Sequence, residues 1–266
     1  MDLKDVQTAL NASGWKPPLA PDGKWGALTA AAVDALLAAE SLRTSKWTAA
    51  RKRIAAMQVI CRRAGIDVGN IDGLEGPQTR YAFEVWDARA RGEDAETWRD
   101  NEPAASLPPP VKTIWPLESE MTRFFGSVGK NQTMLEPPWQ MVLAWDPKTK
   151  IRRFQIHEKV HDSAVRVLDR TLDHYGLEGI EELGLDLFGG CLNVRAMKGG
   201  TSPSIHSWGT ALDFDPERNQ LRWGRDKARL AQPDALQFWK FWEEEGWLSL
   251  GRALNYDWMH VQAARR

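Results

Sequence analysis

The sequence predicts an α+β protein: small helical-bundle repeats at the N-terminal side, then an antiparallel sheet with flanking helices. Three observations carry that expectation. A glycine-punctuated helical pattern occurs twice within the first 92 residues. A proline-rich stretch, Glu102 to Pro110, follows it. Beyond that stretch, helical periodicity and short runs bounded by Gly pairs fall in separate blocks, not in strict strand–helix alternation. The length of 266 residues suits about two domains at roughly 150 residues each.

The first block repeats itself. Asp22-Gly23-Lys24-Trp25-Gly26-Ala27-Leu28-Thr29 and Asp72-Gly73-Leu74-Glu75-Gly76-Pro77-Gln78-Thr79 share the pattern DGxxGxxT, 50 residues apart. Gln7 lies seven residues before Gly14, and Gln58 lies seven before Gly65. Each copy reads as helix, Gly stop, loop, tight Asp-Gly turn and a new helix. Gly14 and Gly65 suit the left-handed residue that ends a helix, and Asp-Gly suits a turn needing positive φ. Thr48 to Ala64 is a continuous helical pattern with Ile54, Met57 and Cys61 on one side. The helix after the second turn carries Ala82, Phe83 and Trp86. The copies span about 1–40 and 48–92, giving a first domain over 1–92. Pro-Pro-Pro breaks helix and favours an extended chain, so 93–112 reads as a semi-rigid linker. A second domain then covers 113–266.

In the second block, Phe154 to Tyr175 reads as a helix, with Val160, Ala164, Val167, Leu168 and Leu172 at helical spacing and Gly176 as its stop. Gly189-Gly190 and Gly199-Gly200 bracket Cys191 to Lys198, which alternates as a strand does. Thr210 to Phe214 and Trp258 to Gln262 read as strands. Gln237 to Glu245 reads as a helix with Phe238, Trp239, Phe241 and Trp242 as an apolar face.

Composition narrows the function. Hydrophobic residues at 42% and charged residues at 27% describe a globular chain, not a disordered one. A formal net charge of -1 lacks the basic excess of a general nucleic-acid binder. No apolar run approaches the ~20 residues that span a bilayer, so membrane insertion is not expected. The opening MDLKDVQTAL has no basic segment followed by an apolar one, so no Sec-type signal peptide is expected. Two cysteines, Cys61 and Cys191, make no disulfide framework and no CxxC pair, and read as small buried hydrophobes. Fourteen Trp against three Tyr suit either a core or flat sugar-stacking surfaces.

Two constellations compete for a metal among the five His. His157-Glu158-Lys159-Val160-His161 fits HExxH, in which two His share a helix face and Glu activates a zinc-held water. Val160 and Ala164 lie on the inward stripe, however, so one His is expected beneath the sheet and the other at its edge. The second constellation is Ser204-Ile205-His206-Ser207-Trp208-Gly209-Thr210-Ala211-Leu212-Asp213, followed 47 residues after Asp213 by His260 within Asp257-Trp258-Met259-His260. His206, Asp213 and His260 offer two imidazoles and one carboxylate, a three-ligand set that leaves a position open for water. Alternation puts Ala211, Asp213 and Asp215 on one face of a strand. Asp257, three residues before His260, is placed to act as general base. An isolated His is otherwise more often a satisfied structural residue.

Two resemblances follow from these residues. The Q-x6-G…DGxxGxxT pattern resembles the peptidoglycan-binding domain carried by many cell-wall hydrolases, in two copies over residues 1–92. The second copy matches better, since the first has an extra loop residue. The resemblance implies wall binding; a ligand-free helical scaffold would carry the same punctuation. SxHxxGxAxD plus DxxH resembles the zinc D-alanyl-D-alanine carboxypeptidases, D,D-dipeptidases and L-alanyl-D-glutamate endopeptidases of the hedgehog/DD-peptidase fold, over about 113–264. By position it implies His206, Asp213 and His260 as zinc ligands and Asp257 as catalytic acid/base. Arg195 matches the upstream Arg that holds the substrate carbonyl and offsets oxyanion charge. Ser204 matches the family's Ser, a hydrogen-bonding partner of substrate or ligands. Zinc in such a site lowers the pKa of its water to about 7 and polarises the scissile carbonyl. Many carboxypeptidases have Glu where this chain has Asp257, and Asp is similar to the phage L-alanyl-D-glutamate endopeptidase branch.

Together the two resemblances imply a modular peptidoglycan hydrolase of the phage endolysin type. Such a protein is made in the bacterial cytoplasm, is released to the wall at lysis, and is expected to be a monomer. The alternatives are a D-alanyl-D-alanine carboxypeptidase, a wall-binding protein with weak catalysis, and an HExxH protease that uses His161.

Overall fold

The computed structural model describes residues 1–93, 114–198 and 200–266. The chain divides into two compact units, Met1–Thr97 and Trp98–Arg266. Apart from Glu93, the linker expected over 93–112 lies outside the described residues, as does Gly199. No helix among the described residues is long and apolar enough to cross a membrane.

Among the described residues, the first unit has four helices: α1 (Leu3–Ala12), α2 (Ala27–Ala39), α3 (Ala49–Arg63) and α4 (Pro77–Ala90). The Asp2 carboxylate caps α1 by accepting from the Lys4 and Asp5 amides. Thr48 caps α3 through the Arg51 amide. Gly14 (φ 88) and Gly65 (φ 73) follow α1 and α3, and the amides of Trp15 and Ile66 reach back to Leu10 O and Cys61 O. This is the glycine stop that the sequence predicts.

The repeat motif is an internal clasp, built twice. Gln58 Nε2 donates to Asp72 Oδ1 (3.1 Å), Leu74 O (3.2 Å) and Thr79 Oγ1 (3.0 Å), while its Oε1 accepts from Gly73 N (2.9 Å). Gln7 makes the same set with Asp22 Oδ1, Lys24 O and Thr29 Oγ1, each at 3.1 Å, and accepts from Gly23 N at 2.9 Å. A buried amide thus ties one helix to the turn and to the next helix. Gly73, at φ 70, also lies where a Cβ would come 2.5 Å from Arg51 O. The two copies are not separate bodies. Leu10, Val33, Leu37, Val59, Cys61 and Phe83 belong to one hydrophobic core, with α3 packed against each of the other three helices.

The described part of the second unit has a short 3-10 turn (Glu118–Glu120) and α5 (Met121–Phe125), then β1 (Gln132–Leu135), β2 (Met141–Leu143), β3 (Asp146–Ile151) and β4 (Phe154–His157). It continues with α6 (Glu158–Leu183), β5 (Leu187–Gly190), β6 (Ala211–Phe214), α7 (Leu236–Glu244), β7 (Leu248–Ser249), α8 (Leu250–Leu254) and β8 (His260–Gln262). β1 and β4 pair as a two-stranded sheet. The main sheet has six strands in the order β3-β2-β5-β6-β8-β7. On it packs a core rich in tryptophan: Trp115, Trp139, Trp208, Trp239, Trp242, Trp247 and Trp258 are all buried. Phe238, Trp239, Phe241 and Trp242 form the buried face of α7, as the sequence predicts.

Four expectations need correction. The sheet is mixed, not antiparallel, because β2 and β5 run parallel, Val142 facing Leu187. The long helix α6 lies between them in sequence and returns the chain to the same end, which is what a parallel pair requires. Second, Phe154–His157 is strand, and helix begins only at Glu158. Gly176 (φ 63, ψ 176) does break the helical backbone, but helical turns resume to Leu183. Third, the strand near the Gly pair is Leu187–Gly190, ahead of the expected Cys191 to Lys198, whose Val194 is 57% exposed. Finally, Asp215 does not continue β6 beside Asp213: at φ 45 it leaves the strand, and its carboxylate pairs with Arg218.

Gln58→Leu is expected to destabilise the first unit by about 2–4 kcal/mol, because the Asp72 carboxylate and Gly73 N–H lose their shared buried partner. Gln7→Leu should cost a similar amount. Urea unfolding of the full chain, with amide exchange read at Gly23 and Gly73, measures this. Unchanged protection at both glycines would reject the clasp.

Candidate metal centre

Three segments deliver the site. His206 lies in a short 3-10 turn, Ile205–Trp208, which Gly209 ends in the left-handed conformation (φ 68) before the chain enters β6. Asp213 lies within β6, and His260 opens β8. β6 and β8 pair antiparallel with Asp213 directly opposite His260. Facing residues in a strand pair project to the same side of the sheet, so the carboxylate and the imidazole meet.

The ligand atoms form a tight triangle. His206 Nε2 lies 3.2 Å from His260 Nδ1 and 3.3 Å from Asp213 Oδ1, and His260 Nδ1 lies 2.8 Å from Asp213 Oδ1. A tetrahedral zinc with bonds of about 2.0–2.1 Å separates its ligands by about 3.3 Å, so this donor set fits such an ion with small relaxation. It is the cluster of three metal-capable side chains found among the described residues. His206 and His260 are buried and Asp213 is half-buried.

The remaining ring nitrogens are anchored too. His206 Nδ1 is 2.7 Å from Cys191 O, and His260 Nε2 is 3.1 Å from Gln262 Oε1. With its proton on that outer nitrogen, each ring would donate to an oxygen and keep a lone pair for the centre. Burial first, with the charges of His260 and Arg195, pulls His206 below the usual imidazole value against the attraction of Asp213. Burial alone would raise Asp213, but the two imidazoles, His206 foremost, hold its carboxyl well below the usual range. Neutral rings and an ionised carboxylate are the protonation states that bind a divalent ion.

The other expected site residues belong to the segments that carry the triangle or are tied to them through the backbone. Ser204 is buried, precedes the His206 turn, and lines a cavity together with His260 and Gln262. Arg195 is stitched to the same turn: Ser207 Oγ donates to its carbonyl (2.9 Å), and the Ser204 amide donates there as well (2.8 Å). Asp257 is buried at φ 56, a conformation Asp tolerates better than most residues. Its carbonyl accepts from the His260 amide at 3.0 Å, so one tight turn links the two.

HExxH resolves differently. His157 ends β4 and caps α6, so it does not share a helix face with His161. Both of its nitrogens are occupied: Nδ1 accepts from the Lys159 amide (3.1 Å), and Nε2 meets Phe125 O (2.9 Å). His161 Nδ1 pairs with Asp162. The cysteines are buried thiols, and burial pushes Cys61 up to about 12 and Cys191 higher still.

Sequence reading missed Gln262 and Gly189. Gln262 stands two residues after His260 on a strand, and that spacing places both on one face. Gly189 carried no signal of its own; a Cβ there would come 2.8 Å from the Asp213 Cβ. No protein-family model matches the chain, and neither a curated protein nor a solved structure matches it.

The protein is expected to bind one zinc equivalent, with occupancy falling as pH drops and the ligand imidazoles protonate. His260→Ala and Asp213→Ala should each abolish stoichiometric binding, whereas His161→Ala should retain it. Metal analysis after gel filtration distinguishes these variants, and zinc retained by His260→Ala would sink the assignment. A second expectation concerns His157, whose value burial lowers. The folded chain holds that ring neutral, while the unfolded ring takes up its proton near pH ~6.5. Stability should therefore fall as pH falls through that range. In chelator, the urea midpoint should drop between pH 7.5 and 5.5, and drop less steeply in His157→Gln. Equal slopes would reject this role.

Proposed function

We propose that the chain is a zinc peptidase that cuts the stem peptide of bacterial peptidoglycan, most specifically an endolysin-type L-alanyl-D-glutamate endopeptidase. The observation that carries this reading is the buried triangle of His206, Asp213 and His260, whose atoms converge from the two motifs SxHxxGxAxD and DxxH. A bound zinc ion would supply Lewis-acid chemistry, polarising the scissile carbonyl and acidifying the attacking water. The chain's own groups do the rest. Asp257 takes the proton of the water and returns it to the leaving amine. Arg195 orients the substrate carbonyl and offsets the charge that develops on its oxygen. Ser204, on the wall of the neighbouring cavity, offers a hydroxyl to the peptide.

The helical unit fits a wall-tethering role, which raises the local concentration of an insoluble substrate. Its Gln, Asp and Thr signature residues are engaged in the internal clasps. Wall contacts therefore come from other surfaces of that unit. The same reading makes the protein a lysis factor that acts from the bacterial cytoplasm on the wall.

Purified peptidoglycan digested with and without a zinc chelator, followed by mass spectrometry, tests the proposal. Chelator-sensitive release of peptides beginning with D-Glu, leaving L-Ala on muramic acid, is expected. Loss of terminal D-Ala alone would replace it with the carboxypeptidase, and an uncut wall that retains the protein would leave a binding protein. Asp257→Ala should lower the rate about 100-fold or more with zinc retained. Parallel loss of zinc in that variant would remove Asp257 from the proton-transfer role.

A further inference from the structure

His260 can hold a metal through Nδ1 only when its proton sits on Nε2. The Asp213 carboxylate, 2.8 Å from Nδ1, draws the proton the wrong way, so the group that Nε2 faces must hold it on Nε2. That group is the side-chain amide of Gln262, and an amide has two opposite faces. Rotated by half a turn, Gln262 would present NH2 to the ring. Nε2 would then have to accept, and the proton would move to Nδ1, the nitrogen needed by the metal.

The surroundings of Gln262 forbid that rotation. Its Nε2 donates to Glu118 Oε1 at 2.8 Å and to Ala264 O at 3.3 Å. A carboxylate and a carbonyl only accept. The rotated amide would set its oxygen against both oxygens and lose both bonds. The bond to Glu118 is the shorter and carries charge, so it dominates the choice. Glu118 comes from 144 residues earlier in the chain, on a short turn, Glu118–Glu120. That turn is fixed in place: the Glu118 amide donates to Arg265 O (2.7 Å), and the Arg265 amide donates to Pro116 O (2.8 Å). Arg265 Nε also donates to Trp115 O at 2.8 Å.

We propose that Glu118 is a positioning residue of the metal centre. It fixes the Gln262 amide, and through that amide it selects the His260 tautomer whose Nδ1 faces the ion. The inference rests on the metal centre described above and not on the identity of the substrate.

The test uses the full-length zinc-loaded protein. Zinc affinity is measured by competition with a chromophoric chelator, and the His260 Nε2–H is read in long-range proton–nitrogen spectra. Gln262→Leu should weaken zinc binding about 10–100-fold and lose the Nε2–H signal to exchange with water. Glu118→Gln, which can offer either a donor or an acceptor, should weaken binding about 3–10-fold and broaden that signal, a smaller loss than direct removal of the amide. In the Gln262→Leu background, Glu118→Gln should change nothing further. Wild-type affinity with an unaltered Nε2–H in Glu118→Gln overturns the proposal. So does a cost of Glu118→Gln that persists undiminished without Gln262. Should Gln262→Leu fail to fold, Glu118→Gln and Glu118→Ala decide the matter by the Nε2–H readout, since Glu118 is half-buried only. A wild type that binds zinc yet leaves peptidoglycan intact rejects the substrate reading and leaves this inference standing.

Discussion

The pairing of β6 with β8, Asp213 against His260, is the constraint on which the site depends. Strand side chains alternate, so a slip of one residue would send one ligand to the opposite face of the sheet. Neighbouring features serve the same register. β5 flanks β6 on its other side, and Gly189 there leaves room for Asp213. Gly209 bends the chain from the His206 turn into β6. The large aromatic core beneath the sheet, including the edge-on pair Trp242 and Trp247 at 4.7 Å, holds the strands from below. A close-packed interior resists the small shifts that would open the triangle.

Electrostatics follows from this placement. Three polar side chains gathered in a buried spot would be costly if left to themselves. Each has a partner outside the triangle or within it, and two neutral rings with one carboxylate, the set a divalent ion needs, would carry a single negative charge. A cation entering there meets ligands already aimed, with their outer ring nitrogens set against Cys191 O and Gln262 Oε1. The cost of organising the site falls on folding, before any ion arrives.

Local chemistry was legible in the sequence, and long-range chemistry was not. The glycine stops, the Asp-Gly turns and the apolar face of α7 depend on neighbours a few residues apart, and they lie where the pattern puts them. The metal ligands were legible because three rare, chemically distinctive side chains sit at fixed spacings. The helix over Phe154 to Tyr175 started too early in the sequence reading because Phe154 and Ile156 are as apolar as the helical stripe that follows. Only pairing with β1, which no local pattern announces, makes those residues strand. The parallel β2–β5 pair is hidden for the same reason. Gln262 was readable in principle from its alternation with His260. Glu118 was not, because its role exists only after two segments 144 residues apart have met.

That meeting has a consequence for where the second unit can be trimmed. Leu117 and Arg265 form a parallel bridge, so the segment around Leu117 lies beside residues almost 150 positions later. Cutting on one side of the bridge undoes the other: loss of Trp115–Glu118 strips Arg265 and Gln262 of partners, and loss of Arg265 strips Glu118 of its own.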